Sequence, residues 1–292
     1  MDSKEQRIKV AIVINDFLVG GAQKLIVDML RHADHQKFHY TLVTLFSFSD
    51  RKDFYQNLPK GIQLHRLSWK GFRDFRSWRK FYRVLKTIRP DVVISHLFFA
   101  NTVSRILKIF LGYKVISFEH NTYTGKSRFQ IWTDRLLAHL TFRIVAVSQS
   151  VKEFTAQQEN IPLEKFKVIL NGIDLTQISD VIGSCEKNEL RKALNLPQED
   201  TIIINVARLT AQKNQPALIE GFARFLKERP HYTLIILGEG SLKSRLEQRI
   251  KELGLSGKIL LLGVRENIYH YYCASDFFIS PSFIEGFGIA HA

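Results

Sequence analysis

Short polar or glycine-containing segments follow several of the β-branched runs in this sequence, and they hold the residues best suited to chemistry. Gly20 and Gly21 come between a strand pattern and a helical pattern, where bare backbone and a helix N-terminus could bind an anion. A turn that needs a flexible residue explains them equally well. Arg208 and Lys213 stand five residues apart in the same setting and could neutralise a diphosphate. Plain solvated surface is the commoner interpretation of two such cations.

Two more segments place polar groups after predicted strands. Asn171 follows the last strand of the first half, although Asn-Gly is also a frequent tight-turn pair. Glu285 precedes Gly286, Phe287 and Gly288 after the final predicted strand. Open parallel sheets bind ligands beyond the carboxyl ends of their strands, so this carboxylate could accept sugar hydroxyls while the bare amides face a phosphate.

Two histidines also follow predicted strands, and few other catalytic patterns are present. His96 and His120 could each hydrogen-bond a substrate, although a local partner is the commoner role for such a residue. The sequence has no Ser-His-Asp arrangement, H-E-x-x-H, C-x-x-C or P-loop, which removes support for hydrolytic, zinc and ATPase chemistry. It also lacks an Asp-x-Asp pair, so we expect no metal.

Length and composition describe a globular protein of two domains. The chain has 292 residues, of which 45% are apolar and 24% charged, close to the globular average. Its apolar runs are far shorter than the ~20 residues of a membrane-spanning helix, and its first residues lack a signal-peptide pattern. Cys185 and Cys273 have no disulfide-scaffold or metal-site spacing. We expect a cytoplasmic protein, either free or peripheral on the inner face of the cytoplasmic membrane.

The net charge of +14 is confined to the first half of the chain. Residues 1–150 contain 25 Lys and Arg against 11 Asp and Glu, whereas residues 151–292 contain 17 of each. Residues 66–89 alone hold nine cations, one acid and six interleaved aromatic residues. This pattern is typical of a helix that lies on anionic lipid, where electrostatic attraction stabilises binding by about 1 kcal/mol per nearby cation. A helix whose aromatics fill the protein's own core fits equally well.

Strand and helix patterns alternate along both halves of the sequence. Residues 1–180 predict six strands with helices between them, and residues 181–292 predict four more, after a polar linker at 174–200. Such alternation indicates right-handed βαβ units and parallel sheets covered on both faces. The predicted fold class is therefore α/β, with two Rossmann-like doubly wound domains. We expect the second to be incomplete, because such domains usually reach ~150 residues.

Six motifs in order resemble the retaining GT-B glycosyltransferases of family 4. They are Gly-Gly-Ala-Gln (20–23), Phe-Glu-His-Asn (118–121), Asn-Gly-Ile-Asp (171–174), Val-Ala-Arg-Leu-Thr-Ala-Gln-Lys-Asn (206–214), Leu-Gly-Glu-Gly (237–240) and Ser-Pro-Ser-Phe-Ile-Glu-Gly-Phe-Gly (280–288). Each is weak alone, but together they are specific and cover nearly the whole chain. The resemblance implies that a sugar passes from a nucleotide diphosphate sugar to an acceptor with retention of anomeric configuration, without a metal or other cofactor.

The resemblance also assigns roles to individual residues. Arg208 and Lys213 match the basic pair that neutralises the donor diphosphate, while Glu285 and His120, the catalytic positions, match residues at the transferred sugar. Further donor-binding positions of the family are matched by Gly20, Gly21, Asn171, Val264, Arg265, Gly286, Phe287 and Gly288. The loosest of these matches are Val264 and Arg265, which would contact the nucleobase. The donor would be held mainly by residues 181–292 and the acceptor by residues 1–180.

One part of the family pattern is missing. The second glutamate of the family's Glu-x7-Glu motif, which holds the ribose, would fall at position 293, one residue after Ala292. The tail that packs back on the first domain in the family is also missing. We therefore expect a chain truncated at its C-terminus. The alternative function is an inactive remnant or a nucleotide-binding fragment without catalysis.

The expected partners are a nucleotide-sugar donor, a glycan or lipid-linked acceptor of the cell envelope, and an anionic membrane surface at residues 66–89. Nucleic acid is the rival that the charge suggests, but no helix-turn-helix, RRM or OB pattern accompanies it, and we expect none to bind. A nicotinamide-dependent oxidoreductase would need G-x-G-x-x-G spacing, which the Gly20-Gly21 loop lacks.

Overall fold

The chain folds into two compact units that divide between Gly172 and Ile173. The structure is a computed structural model, and it describes residues 7–48, 53–183 and 186–291, so Cys185 lies outside the described residues. We call the part up to Gly172 unit 1 and the part from Ile173 unit 2. The border predicted at 180/181 falls within a helix of unit 2, Leu175–Gly183.

Unit 1 is built on a seven-stranded parallel sheet. Its strands are β1 Ile8–Ile14, β2 Phe38–Thr44, β3 Gln63–Arg66, β4 Val92–His96, β5 Lys114–Glu119, β6 Arg143–Ala146 and β7 Phe166–Val168. The spatial order is β3-β2-β1-β4-β5-β6-β7, so β2 and β3 lie on one side of β1 and the strands from β4 onward lie on the other side. The central strands are nearly continuous apolar runs because helices cover both of their faces.

Five helices cover this sheet: α1 Gly21–Arg31, α2 Phe75–Ile88, α3 Phe98–Leu111, α4 Arg128–Leu137 and α5 Gln149–Glu159. The side chain of Asp74 caps α2 by accepting a hydrogen bond from the backbone of Ser77, and a left-handed Arg89 followed by Pro90 ends the helix. Phe81 and Leu85 of α2 join the same buried cluster as Val103 of α3. These two helices therefore share one face of the sheet.

Unit 2 has a smaller four-stranded parallel sheet in the order β10-β9-β8-β11. The strands are β8 Thr201–Val206, β9 Tyr232–Leu237, β10 Ile259–Gly263 and β11 Phe277–Phe278, and the helices are α6 Leu175–Gly183, α7 Lys187–Ala193, α8 Gln215–Phe225, α9 Lys243–Glu252 and α10 Ile268–Ala274. Strand β11 is an edge strand and leaves Phe277 59% exposed. Arg191 and Lys187 of α7 both pair with Asp276 just before that strand.

The predicted fold class, α/β with two doubly wound parallel sheets, is confirmed. Two elements were missed: β3, which is only four residues long, and α6, which lies in the stretch predicted to be a linker. Within the described ranges, no helix combines the length and apolarity needed to cross a bilayer.

Candidate functional site

Most of the predicted donor-binding residues lie in the loops that leave the carboxyl ends of the unit 2 strands. The strands are parallel, so the segments after β8, β9, β10 and β11 all emerge at one edge of the sheet. Backbone hydrogen bonds join neighbouring loops, from Leu209 N to Glu239 O at 3.0 Å and from Gly238 N to Gly263 O at 2.9 Å. These bonds hold the edge together as one surface.

Lys213 and Glu285, which are 72 residues apart in the sequence, form an ion pair at this edge. The Lys213 Nζ and Glu285 Oε1 atoms are 2.5 Å apart, and the side chains are 15% and 22% exposed. Two further bonds clamp the same segments, from Gln212 Nε2 to Ile284 O at 2.7 Å and from Phe283 N to Gln212 O at 3.0 Å. The segment after β11 is therefore held against the turn after β8 by three contacts.

Two glycines let the loops after β8 and β9 approach closely. A Cβ on Gly238, whose φ is +139°, would lie 2.0 Å from Ala207 O, and one on Gly240 would lie 2.3 Å from Leu209 O. Glycine is therefore required by backbone contact. Helix α9 follows the second of these glycines and begins at Lys243, with Leu242 at its N-cap and no side-chain capping bond.

The other predicted residues of unit 2 lie along the same edge. Arg208 is exposed directly after β8, and its carbonyl accepts a hydrogen bond from the buried Gln215 side chain at 3.0 Å. Arg265 is exposed and Val264 half-buried after β10. The loop after β11 contains Gly286, which is buried, Phe287, which is half-buried, and Gly288, whose φ is +72°. This edge thus combines two exposed guanidinium groups with an ammonium–carboxylate pair and close-packed glycine backbone.

In unit 1, Gly20 and Gly21 stand at the start of α1. Gly20 is the N-cap residue, and a Cβ on it would lie 2.7 Å from Gln23 Oε1. The Gln23 Nε2 atom in turn donates to the backbone and carboxylate oxygens of Asp16, each at 3.3 Å. The first turn of α1 contains no acidic residue, so the helix N-terminus offers a positive partial charge to an anion.

His120 lies at the end of β5 beside His96 at the end of β4. The His96 Nδ1 and His120 Nε2 atoms are 2.8 Å apart, and the rings are stacked with centroids 5.1 Å apart. Burial lowers the pKa of His120 to about 4, and burial together with the neighbouring imidazole lowers the pKa of His96 well below its usual range. Both rings are therefore neutral at physiological pH, and His120 can serve as a hydrogen-bonding group rather than as a cation.

A buried ionic cluster behind His120 was missed by sequence reasoning. Lys126 Nζ lies 2.5 Å from Glu159, 2.9 Å from Asp134 and 3.7 Å from Glu119, and Arg105 lies 2.7 Å from Asp134. Burial raises the pKa of Glu159 to about 8. It also raises the pKa of Glu119. Three carboxyl groups face two cations, so one carboxyl keeps its proton near neutral pH. The available signal was Arg105, the one charged residue among the buried residues of α3.

Asn171 is half-buried after β7, next to the border between the units. The following Asp174 is buried, and its Oδ1 accepts a hydrogen bond from the backbone of Thr176 at 3.1 Å at the start of α6. The turn after Asn171 therefore also opens the first helix of unit 2.

Two protein-family models match the chain in succession. The model described as Glycosyltransferase Family 4 matches residues 19–177. The model described as Glycosyl transferases group 1 matches residues 186–292. The first covers more than half of the chain, and the second covers most of unit 2.

Similar curated proteins are glycosyltransferases. An uncharacterized glycosyltransferase of Methanocaldococcus jannaschii is 28% identical over 235 residues, which are 73% of this chain and 55% of that protein. The Escherichia coli UDP-Gal:α-D-GlcNAc-diphosphoundecaprenol α-1,3-galactosyltransferase is 26% identical over 309 residues, covering 99% of this chain and 77% of that one. The chain thus spans about half of the first relative's length and three quarters of the second's.

Solved structures share the two-unit fold. The crystal structure of Anabaena HepE in complex with UDP and glucose matches with a TM-score of 0.80 at 21% identity, covering 97% of this chain and 77% of that one. At this level of identity the match shows the fold, which is GT-B.

Proposed function

Since the chain belongs to glycosyltransferase family 4, we propose that it transfers a sugar from a nucleotide diphosphate sugar to an acceptor hydroxyl. One observation carries the proposal: the carboxyl edge of the unit 2 sheet brings Arg208, Lys213 and Glu285 onto one surface of joined loops. Cations and bare amides suit a diphosphate, and a carboxylate suits sugar hydroxyls. UDP-hexoses are the first donors to test, because UDP occurs in the name of the E. coli relative and in the HepE complex.

The proposed reaction retains the anomeric configuration. The acceptor oxygen forms a bond to the anomeric carbon on the face from which the diphosphate leaves, while the bond from that carbon to the phosphate oxygen breaks. The acceptor proton passes to the departing phosphate. Arg208 and Lys213 stabilise the negative charge that develops on the leaving group, so that side-chain cations rather than a metal do this work. Glu285 accepts hydrogen bonds from the sugar.

The remaining predicted residues keep their proposed roles. Val264 and Arg265 contact the nucleobase, and Gly286, Phe287 and Gly288 offer backbone to the sugar and phosphate. In unit 1, the proposed substrate contacts are the loop of Gly20 and Gly21, the neutral His120, and Asn171. The absence of an acid from the first turn of α1 supports the first of these.

We propose that the acceptor is lipid-linked or part of an envelope glycan, as the name of the E. coli relative suggests. We also propose that residues 66–89 approach an anionic membrane. In support, all the cations of α2 are exposed, and Phe72 and Phe75 are 40% and 81% exposed. Trp69 and Phe81 are buried in the core of unit 1, however, so these two aromatics serve the fold.

A thermal-shift panel tests donor binding. The full chain is heated with UDP-, GDP- and ADP-hexoses and with NAD, all in the presence of EDTA. We expect stabilisation by one class of nucleotide sugar, since a ligand that binds only the folded state raises the unfolding temperature. A shift with NAD alone would favour an oxidoreductase. No shift with any compound would contradict donor binding and favour a remnant.

A further inference from the structure

Helix α4 presents apolar side chains to solvent. Phe129, Trp132 and Leu136 are 66%, 60% and 52% exposed, and their spacing of three and four residues puts them on one side of the helix. The buried residues of α4 are Thr133 and Asp134. Three adjacent large apolar side chains exceed the single exposed residues that are normal on a protein surface.

The apolar area extends beyond α4. Helix α3 packs against α4, and its last turns carry Ile109 and Phe110 at 63% and 69% exposure. Lys108 Nζ donates to Leu140 O at 2.7 Å, which fixes the end of α3 beside the segment after α4. We call the five exposed apolar residues of α3 and α4 the α4 surface.

The exposed charges of the chain segment that carries the α4 surface are all positive. Residues 101–147, all of which the structure describes, contain two acids, Glu119 and Asp134, and both are buried. Arg128 and Arg135 of α4 are exposed. A shallow pocket of about 160 Å³ brings Trp132, Arg135, Leu136 and His139 together. A guanidinium beside apolar walls suits a phosphate group attached to acyl chains.

We infer that the α4 surface docks onto an anionic phospholipid bilayer, with Phe129, Trp132 and Leu136 in the interface and Arg128 and Arg135 on lipid phosphates. This inference goes beyond the proposed function, because it needs neither donor nor catalysis. It also adds exposed aromatic residues to those of residues 66–89, where Trp69 and Phe81 are committed to the core. A second copy of this chain is the less suitable occupant, because its unit 1 would bring further positive charge.

The chain carries its own reporter for this surface. Of its three tryptophans, Trp69 is 4% exposed, Trp78 is half-buried and Trp132 is 60% exposed, so Trp132 is the most accessible to lipid. The full chain is mixed with phosphatidylcholine vesicles with and without phosphatidylglycerol, and binding is measured by sedimentation and by quenching with brominated lipid. We expect binding to the anionic vesicles, quenching of Trp132, and weakening by salt.

Variants separate the surfaces. The double variant Phe129→Ser with Leu136→Ser keeps the reporter and is expected to bind at least tenfold more weakly. Replacing both Arg128 and Arg135 by Gln should weaken binding about fivefold for each charge removed. Leu163→Ser, at a site that is 49% exposed in unit 1, is the matched control, and unfolding curves verify that each variant folds.

Three results would overturn the inference. The first is that the double variant binds vesicles as well as the native chain does. The second is that Phe75→Ser on α2 releases the protein while the double variant does not, which would leave residues 66–89 as the membrane contact. The third is that sedimentation velocity shows a dimer that the double variant dissociates, which would make a second copy the occupant.

Discussion

The ion pair between Lys213 and Glu285 joins two of the side chains that we propose for donor binding. A diphosphate must compete with the Glu285 carboxylate for the Lys213 ammonium, which lies 2.5 Å from it. Both side chains are mostly buried, at 15% and 22% exposure, so the pair is held within the edge rather than on open surface. Their roles are therefore separable by substitution.

Lys213→Ala should weaken the binding of UDP at least tenfold, because a hydrogen bond to a charged group contributes about 1.5–3 kcal/mol. Glu285→Gln should leave UDP binding equal or tighter, since a like charge beside the phosphates is removed, but should abolish the preference for UDP-hexose over UDP. Titration calorimetry measures both, with Lys192→Ala, which is 65% exposed on α7, as the control. Equal loss of UDP binding in Lys213→Ala and Lys192→Ala would contradict the assignment.

His120 gives a second prediction at this scale. Burial lowers its pKa to about 4, so its imidazole should show no titration between pH 5 and pH 8. Histidine NMR spectra of the native chain and of His120→Gln identify its signal. An unfolded chain protonates this residue near pH 6.5, so the folded state loses stability as the pH falls below that value. A signal that titrates near pH 6.5 would show that the pair is open to water.

The loops after β8 and β9 approach closely through their backbone atoms, so the contact depends on two glycines rather than on side-chain interactions. Gly240→Ala should lower the free energy of unfolding of unit 2 by about 1–3 kcal/mol, because the new methyl group meets Leu209 backbone atoms. Gly221→Ala in α8 meets open space and should stabilise by up to ~1 kcal/mol. Chemical denaturation measures both, and equal effects would refute the steric explanation.

The cluster around Lys126 ties the segment after β5 to α4 and α5. Burial raises the pKa of Glu159 to about 8, so between pH 4.5 and pH 8 the folded chain holds a proton that the unfolded chain has released. This contribution to stability is complete below pH 4.5 and is lost as the pH rises through 8. Glu159→Gln keeps a neutral group and should flatten this part of the profile. Urea denaturation from pH 6 to pH 9 measures it, and parallel profiles for both proteins would contradict the raised pKa.

Sequence patterns predicted elements where periodicity alone decides them. The apolar runs of β1, β8 and β9 and the amphipathic pattern of α2 were found for this reason, although the start of α2 at Phe75 is set by its cap residue Asp74. Strand β3 was missed because its four residues are held by pairing with β2 rather than by their own pattern. The Lys126 cluster was missed because long-range pairing of buried charges leaves no periodic signal.

At the scale of the whole chain, the charge is divided between the units. The excess of +14 lies within residues 1–150, whereas residues 151–292 are balanced. The sequence could locate this excess of positive charge but could not show which cations lie beside exposed apolar side chains. The aromatic residues between cations at residues 66–89 fitted exposed anchors and core residues equally well from the sequence. Tertiary packing buries Trp69 and Phe81 there and leaves Phe129 and Trp132 of α4 exposed.

The central claim is that four loops at one edge of the unit 2 sheet bind a nucleotide diphosphate sugar. Hydrogen exchange of the full chain with and without UDP-hexose tests it most directly. We predict slower exchange in residues 207–215, 238–242, 264–267 and 280–288, and no change in the amides of α9. Protection elsewhere in unit 2 with none in these loops, under conditions where calorimetry shows binding, would contradict the claim.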